Sequence, residues 1–140
     1  MLCGVAQSLW RQAGGDITKR PRKTVLCVGN DLVNLNLRCA RLKKEGWITL
    51  SAGSGHDGLL LSARERIDAV VLDLNEDGSE SALIAAQLKK QNASLPVLML
   101  VQDKANLALG VSEQGDAIIL KSDEERVLSI TLKQQLKKLG

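Results

Sequence analysis

The sequence predicts an α/β domain of the doubly wound kind, in which helices cover both faces of a parallel sheet. Short apolar runs of four or five residues alternate along the chain with segments whose apolar residues recur at helical spacing. Runs that are apolar throughout are typical of strands buried on both faces of a parallel sheet. Such alternation predicts strand–helix units joined by right-handed crossovers.

The first strand is predicted at Val25–Val28, and it ends at Gly29. The helix after it carries an apolar stripe at helical spacing, formed by Leu32, Leu35, Cys39 and Leu42. The pattern places Arg38 on the opposite, polar face with Arg41, and Gly46 ends the helix. Cys39 is expected to pack in the core rather than to react.

The second strand is predicted at Trp47–Leu50. Ser54 then begins a sequence typical of a capped helix start. His56 lies in this start and is expected to be a surface or capping residue rather than a ligand. The third run, Ala69–Leu72, is the most apolar and ends at Asp73.

The third helix is predicted over Ser81–Lys90, with Asp77 and Glu80 spaced to cap it. Pro96 opens the fourth strand, Val97–Val101, as a strand-initial proline can.

The last part of the chain begins with a weakly periodic segment over residues 103–114, which leads to a fifth strand at Ala117–Leu120. Ser122 and Glu125 have capping-box spacing for a last helix whose leucines recur at helical spacing. Five strands therefore alternate with five helices.

The composition excludes several classes of function. The chain has two Trp and no Phe or Tyr, so it has few rings on which bases could stack and no walls for an aromatic cage. Three Cys without a C-x-x-C motif and a single His do not predict a structural zinc site. No apolar stretch is long enough for a membrane helix, and we expect a cytoplasmic protein.

Residues 1–23 differ from the rest and are predicted to be a tail or linker that precedes a domain over residues 24–140. The tail ends in the basic string KRPRK over residues 19–23. Four basic residues around Pro21, without a scaffold, are more typical of a solvated tail than of a nucleic-acid contact. The formal net charge of +3 permits acidic partners without demanding nucleic acid.

Polar residues follow several of the predicted strands. The first strand ends on Gly29, Asn30 and Asp31, the third on Asp73, and the fifth on Lys121. Ligands of open parallel sheets bind outside the carboxyl ends of the strands, so these side chains are expected to converge. Carboxylates and an amide could hold a hard cation there, and the lysine could neutralise a bound anion.

The stretch from Ser54 to Asp73, SGHDGLLLSARERIDAVVLD, resembles the helix and strand that lead to the phosphoacceptor aspartate in receiver domains of two-component response regulators. Pro96–Leu100 and Ile118–Lys121 are similar to the fourth and fifth strands of that family. The resemblance extends over about residues 23–138. It implies a flavodoxin-like fold with strand order 2-1-3-4-5.

The resemblance also implies roles for single residues. Asp73 would be the phosphoacceptor, a carboxylate nucleophile, and Lys121 would pair with the phosphoryl group. A weak Mg²⁺ site would use Asp31, Asp73 and the backbone carbonyl of Asn75. For Asp31 the favoured alternative is a cap on the first helix. No enzyme activity is expected, and self-phosphorylation at Asp73 is left open.

The sequence departs from the family pattern at five positions. Gly29 and Asn30 stand where receivers have two adjacent acids, which should weaken Mg²⁺ binding. Val101 occupies the position of the hydroxyl switch residue, and Ile118 that of the aromatic one. Ser122 replaces the proline that follows the lysine.

These features predict an atypical receiver-like domain in phosphorelay signalling that acts by docking to other proteins. The expected partners are a histidine kinase or another signalling protein, with a homodimer through strands four and five and the last helix as a further expectation. The alternative is a small nucleotide- or flavin-binding protein of the same architecture. The loop at residues 29–32 disfavours it, because it lacks a cradle rich in Ser, Thr and Gly.

Overall fold

The computed structural model describes residues 22–75, 78–106 and 115–138, which contain a five-stranded parallel sheet. Its strands are β1 Thr24–Gly29, β2 Ile48–Ala52, β3 Ala69–Asp73, β4 Val97–Val101 and β5 Ala117–Leu120. Their order across the sheet is β2-β1-β3-β4-β5. The predicted fold class and strand order are therefore confirmed.

Four α-helices are described: α1 Leu32–Lys44, α2 Gly55–Arg64, α3 Ser79–Gln91 and α4 Glu124–Lys137. Two 3₁₀ turns accompany them, at Lys104–Asn106 and Lys121–Asp123. Most of the predicted tail, most of the weakly periodic segment 103–114, and Asp77 lie outside the described residues. None of the described helices is long and apolar enough to cross a membrane.

The core has two halves, one on each face of the sheet. Val25 and Cys27 of β1 belong to the half that also contains leucines of α1 and α4. Leu26 and Val28 belong to the other half, which contains residues of α3 and is packed by α2. Successive side chains of a strand point to opposite faces, so a strand covered on both sides is apolar at every position.

Two expectations about α1 are wrong. Leu32 was assigned to the apolar stripe but is 60% exposed, whereas Arg38 was assigned to the polar face but is only 2% exposed. The face of α1 that packs on the sheet runs through Leu35, Arg38 and Leu42, three residues at helical spacing. Cys39 is half-buried and packs against the core, as expected.

The helix starts agree in part with the sequence. Ser54 caps α2, and its hydroxyl accepts a hydrogen bond from the backbone N–H of Asp57. Ser122 does not cap the last helix, because it lies within the 3₁₀ turn. The helix α4 begins after Asp123, at Glu124.

Candidate functional site

The candidate site lies where β1, β3 and β5 end. The parallel register pairs Gly29, the last residue of β1, with Asp73, the last residue of β3. A Cβ atom on Gly29 would lie 3.2 Å from the carbonyl oxygen of Asp73, so the close approach of the two strand ends favours glycine. Asp73 itself is buried, with 5% of its surface exposed.

Each carboxylate oxygen of Asp73 has a cationic partner. Lys121 Nζ lies 2.8 Å from Oδ1, and Arg38 Nη2 lies 3.0 Å from Oδ2. The sequence predicted that Asp73 and Lys121 would lie near each other. It did not predict that Arg38 would join them from α1.

Arg38 also binds Glu124, the first residue of α4. Its Nε donates to Glu124 Oε2, and its Nη2 donates to Oε1 at 3.1 Å. Arg41, one turn further along α1, donates to Glu124 Oε2 at 3.2 Å and pairs with Glu125 at 3.7 Å. One guanidinium thus joins α1 to both β3 and α4.

The cluster holds Arg38 as a cation. Burial favours the neutral form and would lower the pKa of Arg38, but the hydrogen bond and charge of Glu124 and the charge of Asp73 outweigh burial and raise it. Arg38, Arg41 and Lys121 contact three acids, of which Asp73 and Glu124 are buried and Glu125 is exposed. Both buried acids of this cluster, which we call the Asp73 pocket, therefore already have cationic partners from the protein itself.

The side chains of Asn30 and Asp31, which follow β1, form hydrogen bonds away from Asp73. Asp31 caps α1, accepting hydrogen bonds from the backbone and side-chain nitrogens of Asn34 at 3.3 and 3.0 Å. Asp31 is therefore a helix cap, which is the alternative that the sequence favours over a metal ligand. The side-chain amide of Asn30 donates to the carbonyl oxygen of Leu74 at 2.8 Å.

Asn75 is hydrogen-bonded to residues at the start of α3. Its backbone carbonyl accepts from the backbone N–H of Gly78 at 3.2 Å. Its side-chain oxygen accepts from the backbone N–H of Glu80, and its side-chain nitrogen donates to Ser79 Oγ. These contacts join Asn75 to the start of α3.

The side chains present do not fit a Mg²⁺ ion. The ion usually takes one or two carboxylates that are free to coordinate it, with water or phosphate oxygens completing the shell. Here both oxygens of Asp73 face cations, Asp31 caps α1, and Gly29 has no side chain. Within residues 22–75, 78–106 and 115–138, no three His, Cys, Asp or Glu side chains form a group that could hold a metal.

The two switch positions are apolar, as the sequence states. Val101 ends β4 and is fully buried, so it brings no hydroxyl to the pocket. Ile118 of β5 is half-buried and packs against the core half that α2 and α3 cover. Neither side chain can hydrogen-bond to a group on Asp73.

Next to Arg38 in sequence, Cys39 belongs to a thiol pair with Cys27 of β1. A hydrogen bond with Cys27 is the main reason why the pKa of Cys39 is lowered from 9.0 to about 7. The same bond and burial raise the pKa of Cys27 well above its ordinary value. Both thiols are free of disulfide bonds.

Sequence reasoning missed Arg38 and Glu124 as members of the site. The available signal was the position of Arg38 between Leu35 and Leu42, at the spacing of a buried stripe. A long cationic side chain in such a stripe needs an acidic partner inside the fold, because a buried charge is costly unless it is paired.

Sequence comparison identifies regulators as relatives. The chain is 29% identical over 119 residues to the probable transcriptional regulatory protein TcrX of Mycobacterium tuberculosis, an alignment of 84% of this chain and 51% of that protein. It is 34% identical over 76 residues to the transcriptional regulatory protein GlrR of Escherichia coli, which spans 54% of this chain and 17% of GlrR. The chain thus spans about half of TcrX and far less of GlrR. No family model matches the sequence.

Structure comparison identifies receiver domains. A CheY-like response regulator receiver domain from Methanospirillum hungatei superposes with a TM-score of 0.74 at 21% identity, over 84% of this chain and 96% of that one. The response regulator TrrA of Thermotoga maritima, solved with Mg²⁺ and BeF, gives 0.73 at 21% identity, over 81% and 98%. Together with the transcriptional regulators among the sequence relatives, these likenesses favour the receiver interpretation over the nucleotide- or flavin-binding alternative. In its fold the chain is similar to receiver domains of response regulators, and its sequence relatives are transcriptional regulatory proteins.

Proposed function

We propose that this chain works as a receiver-like docking domain in a phosphorelay, with Asp73 as its candidate phosphoacceptor. The observation that carries the proposal is the contact between Lys121 Nζ and Asp73 Oδ1 at the carboxyl edge of a sheet of receiver topology. A carboxylate there is backed by a cation that could pair with a phosphoryl group.

Phosphorylation of Asp73 would be a phosphoryl transfer that forms an acyl phosphate. A carboxylate oxygen attacks the phosphorus atom, the bond from phosphorus to the donor's nitrogen or oxygen breaks, and the electron pair leaves with the donor. The product adds charge next to Arg38 and Lys121, which could pair with it. The donor would be the phosphohistidine of a histidine kinase or a small acyl phosphate.

Docking is the favoured output because the usual switch groups are absent from their positions. Val101 and Ile118 cannot form a hydrogen bond that distinguishes a modified from an unmodified Asp73. We propose that partners recognise a largely fixed surface. Homodimerisation through β4, β5 and α4 is one such contact, and Ile130 of α4 offers an apolar side chain that is 55% exposed.

The setting of the domain is part of the proposal. TcrX is about twice the length that matches this chain, and it is described as a probable transcriptional regulator. We propose that this domain regulates gene expression through a partner or another segment rather than through its own contact with nucleic acid. Such a role would place it in the cytoplasm.

The test is direct phosphorylation. The wild-type chain is incubated with acetyl phosphate, with and without Mg²⁺, and its intact mass is measured. An acid-stable, base-labile phosphoryl adduct that is absent from Asp73→Asn supports phosphotransfer. If the wild type gains no phosphoryl mass under any condition, or if Asp73→Asn gains the same mass, docking is left as the function and Asp73 is removed as an acceptor.

A further inference from the structure

The pocket around Asp73 contains a cation that belongs to the chain itself. We propose that the guanidinium of Arg38 takes the place of a divalent metal ion in this pocket, and that the domain keeps this pocket assembled and closed to Mg²⁺. The inference concerns the same pocket as the proposed function and rests on it for the identity of the central acid. It does not depend on whether Asp73 is phosphorylated.

The geometry of Arg38 supports this role. A metal ion in an acidic pocket binds oxygens from several elements and holds them together. Arg38 does the same from α1, with Asp73 of β3 at 3.0 Å and Glu124 of α4 at 3.1 Å from its Nη2 atom. Its planar fork of donors allows it to serve two carboxylates at once.

Burial makes the arrangement persistent. Arg38, Asp73 and Glu124 are 2%, 5% and 8% exposed. Buried ion pairs are weakly screened by salt, so dissolved cations compete poorly with a guanidinium that is already in contact. Arg38 keeps its proton because the neighbouring acids raise its pKa.

Charge then excludes a second cation. An ion approaching Asp73 would meet Arg38 at one carboxylate oxygen and Lys121 at the other. A dication would be repelled by both, and it would have to displace one of them to reach an oxygen. The nearby Asn30 amide donates to Leu74, and Asp31 caps α1, so neither offers a prepared ligand.

Removal of the guanidinium should reverse this exclusion. Without it, Asp73 Oδ2 and both oxygens of Glu124 would face the space that the arginine head now fills. Two carboxylates around a small polar cavity are ligands that Mg²⁺ and Mn²⁺ accept. The structure therefore predicts that loss of Arg38 creates a metal site.

The experiment measures Mn²⁺ binding by electron paramagnetic resonance and the Tm with either EDTA or millimolar Mg²⁺. Wild type should leave Mn²⁺ free and show the same Tm in both solutions. Arg38→Gln, which keeps much of the side-chain volume without the charge, should bind about one Mn²⁺ ion and gain Tm with Mg²⁺. Arg38→Lys, the matched control, retains a cation and should leave Mn²⁺ free and show no gain in Tm with Mg²⁺.

Several outcomes would overturn the inference. One is that the wild type binds Mn²⁺ and that Asp73→Asn abolishes this binding. The other is that Arg38→Gln folds but binds no metal. If Arg38→Gln folds only when metal is present, the inference is supported, because the metal then replaces the guanidinium. If it does not fold at all, the wild-type titration with its Asp73→Asn control decides. Failure of the acetyl phosphate reaction would count against the proposed function alone, since it leaves these metal titrations unchanged.

Discussion

The Nη2 atom of Arg38 lies 3.0 Å from the Oδ2 atom of Asp73, and this contact joins the middle of α1 to the end of β3. The two residues are 35 positions apart in the sequence, and both are buried. Because the same guanidinium also holds Glu124, the contact ties three elements together at the carboxyl edge of the sheet. The pocket is a structural centre as well as a candidate site.

Arg38→Ala should lower the free energy of unfolding by about 3–5 kcal/mol, the usual loss when one partner of a buried ion pair is removed. The reason is that Asp73 and Glu124 would be left as buried acids with less compensation. Urea unfolding followed by circular dichroism measures the change.

The control for this prediction is Arg41→Ala on the same helix. The Arg41 side chain is 30% exposed and binds Glu124 from the rim of the cluster, so its loss should cost about 0–1 kcal/mol. Equal losses for the two variants would contradict the central place of Arg38 in the cluster.

A double-mutant cycle between Arg38→Ala and Asp73→Asn should give a coupling free energy of about 0.5–3 kcal/mol. The coupling is expected because the two side chains share a buried, charge-assisted hydrogen bond. Urea unfolding of the wild type, both single variants and the double variant supplies the four values. The same cycle with Lys121→Met should give a smaller coupling, since the Lys121 side chain is 27% exposed. Additive losses for the Arg38 cycle would show that the pair is not energetically linked.

The sheet and two members of the candidate site, Asp73 and Lys121, could be predicted from the sequence. Strands buried on both faces are apolar throughout, and the residues at their carboxyl ends meet at one edge, which is why Asp73 and Lys121 could be placed together. Arg38 could not be placed in the same way. Its charge predicted a place on the solvent-facing side of α1. Its partners, Asp73 and Glu124, lie 35 and 86 positions away in the sequence. Only the packing of α1 and α4 on the same face of the sheet brings them within reach.

The start of α4 gives a second example. Ser122 and Glu125 have the spacing of a capping box, but the turn Lys121–Asp123 occupies this position. In the fold, Lys121 reaches back to Asp73 and Glu124 reaches Arg38. The last helix therefore begins at Glu124, where these contacts form, and not after a cap at Ser122.

Gly58→Ala should destabilise the domain. A Cβ atom at this position of α2 would lie 2.8 Å from Val28 Cγ2, in the core between α2 and β1. Overpacking costs about 1–3 kcal/mol, which exceeds the gain of about 1 kcal/mol that alanine brings to a helix. Thermal unfolding should show a lower Tm. Gly53→Ala, just before α2, is the control for an added Cβ without a clash, since its Cβ would meet only Leu32 at 3.6 Å, and it should change the Tm little. A higher Tm for Gly58→Ala would show that Val28 can move aside.

Cys39 should be the reactive thiol of the described pair. Its pKa is lowered to about 7, chiefly by the hydrogen bond with Cys27. Because the thiolate is the reactive form, the rate at which iodoacetamide alkylates Cys39 should rise with pH and reach half of its maximum near pH 7. Mass spectrometry in a Cys3→Ser background measures the rate at each thiol, and Cys27 should react far more slowly because it is buried and its pKa is raised. Cys27→Ala removes the donor and should move the Cys39 midpoint toward pH 9.0, its ordinary pKa. An unchanged midpoint in that variant would show that the hydrogen bond is not what lowers the pKa.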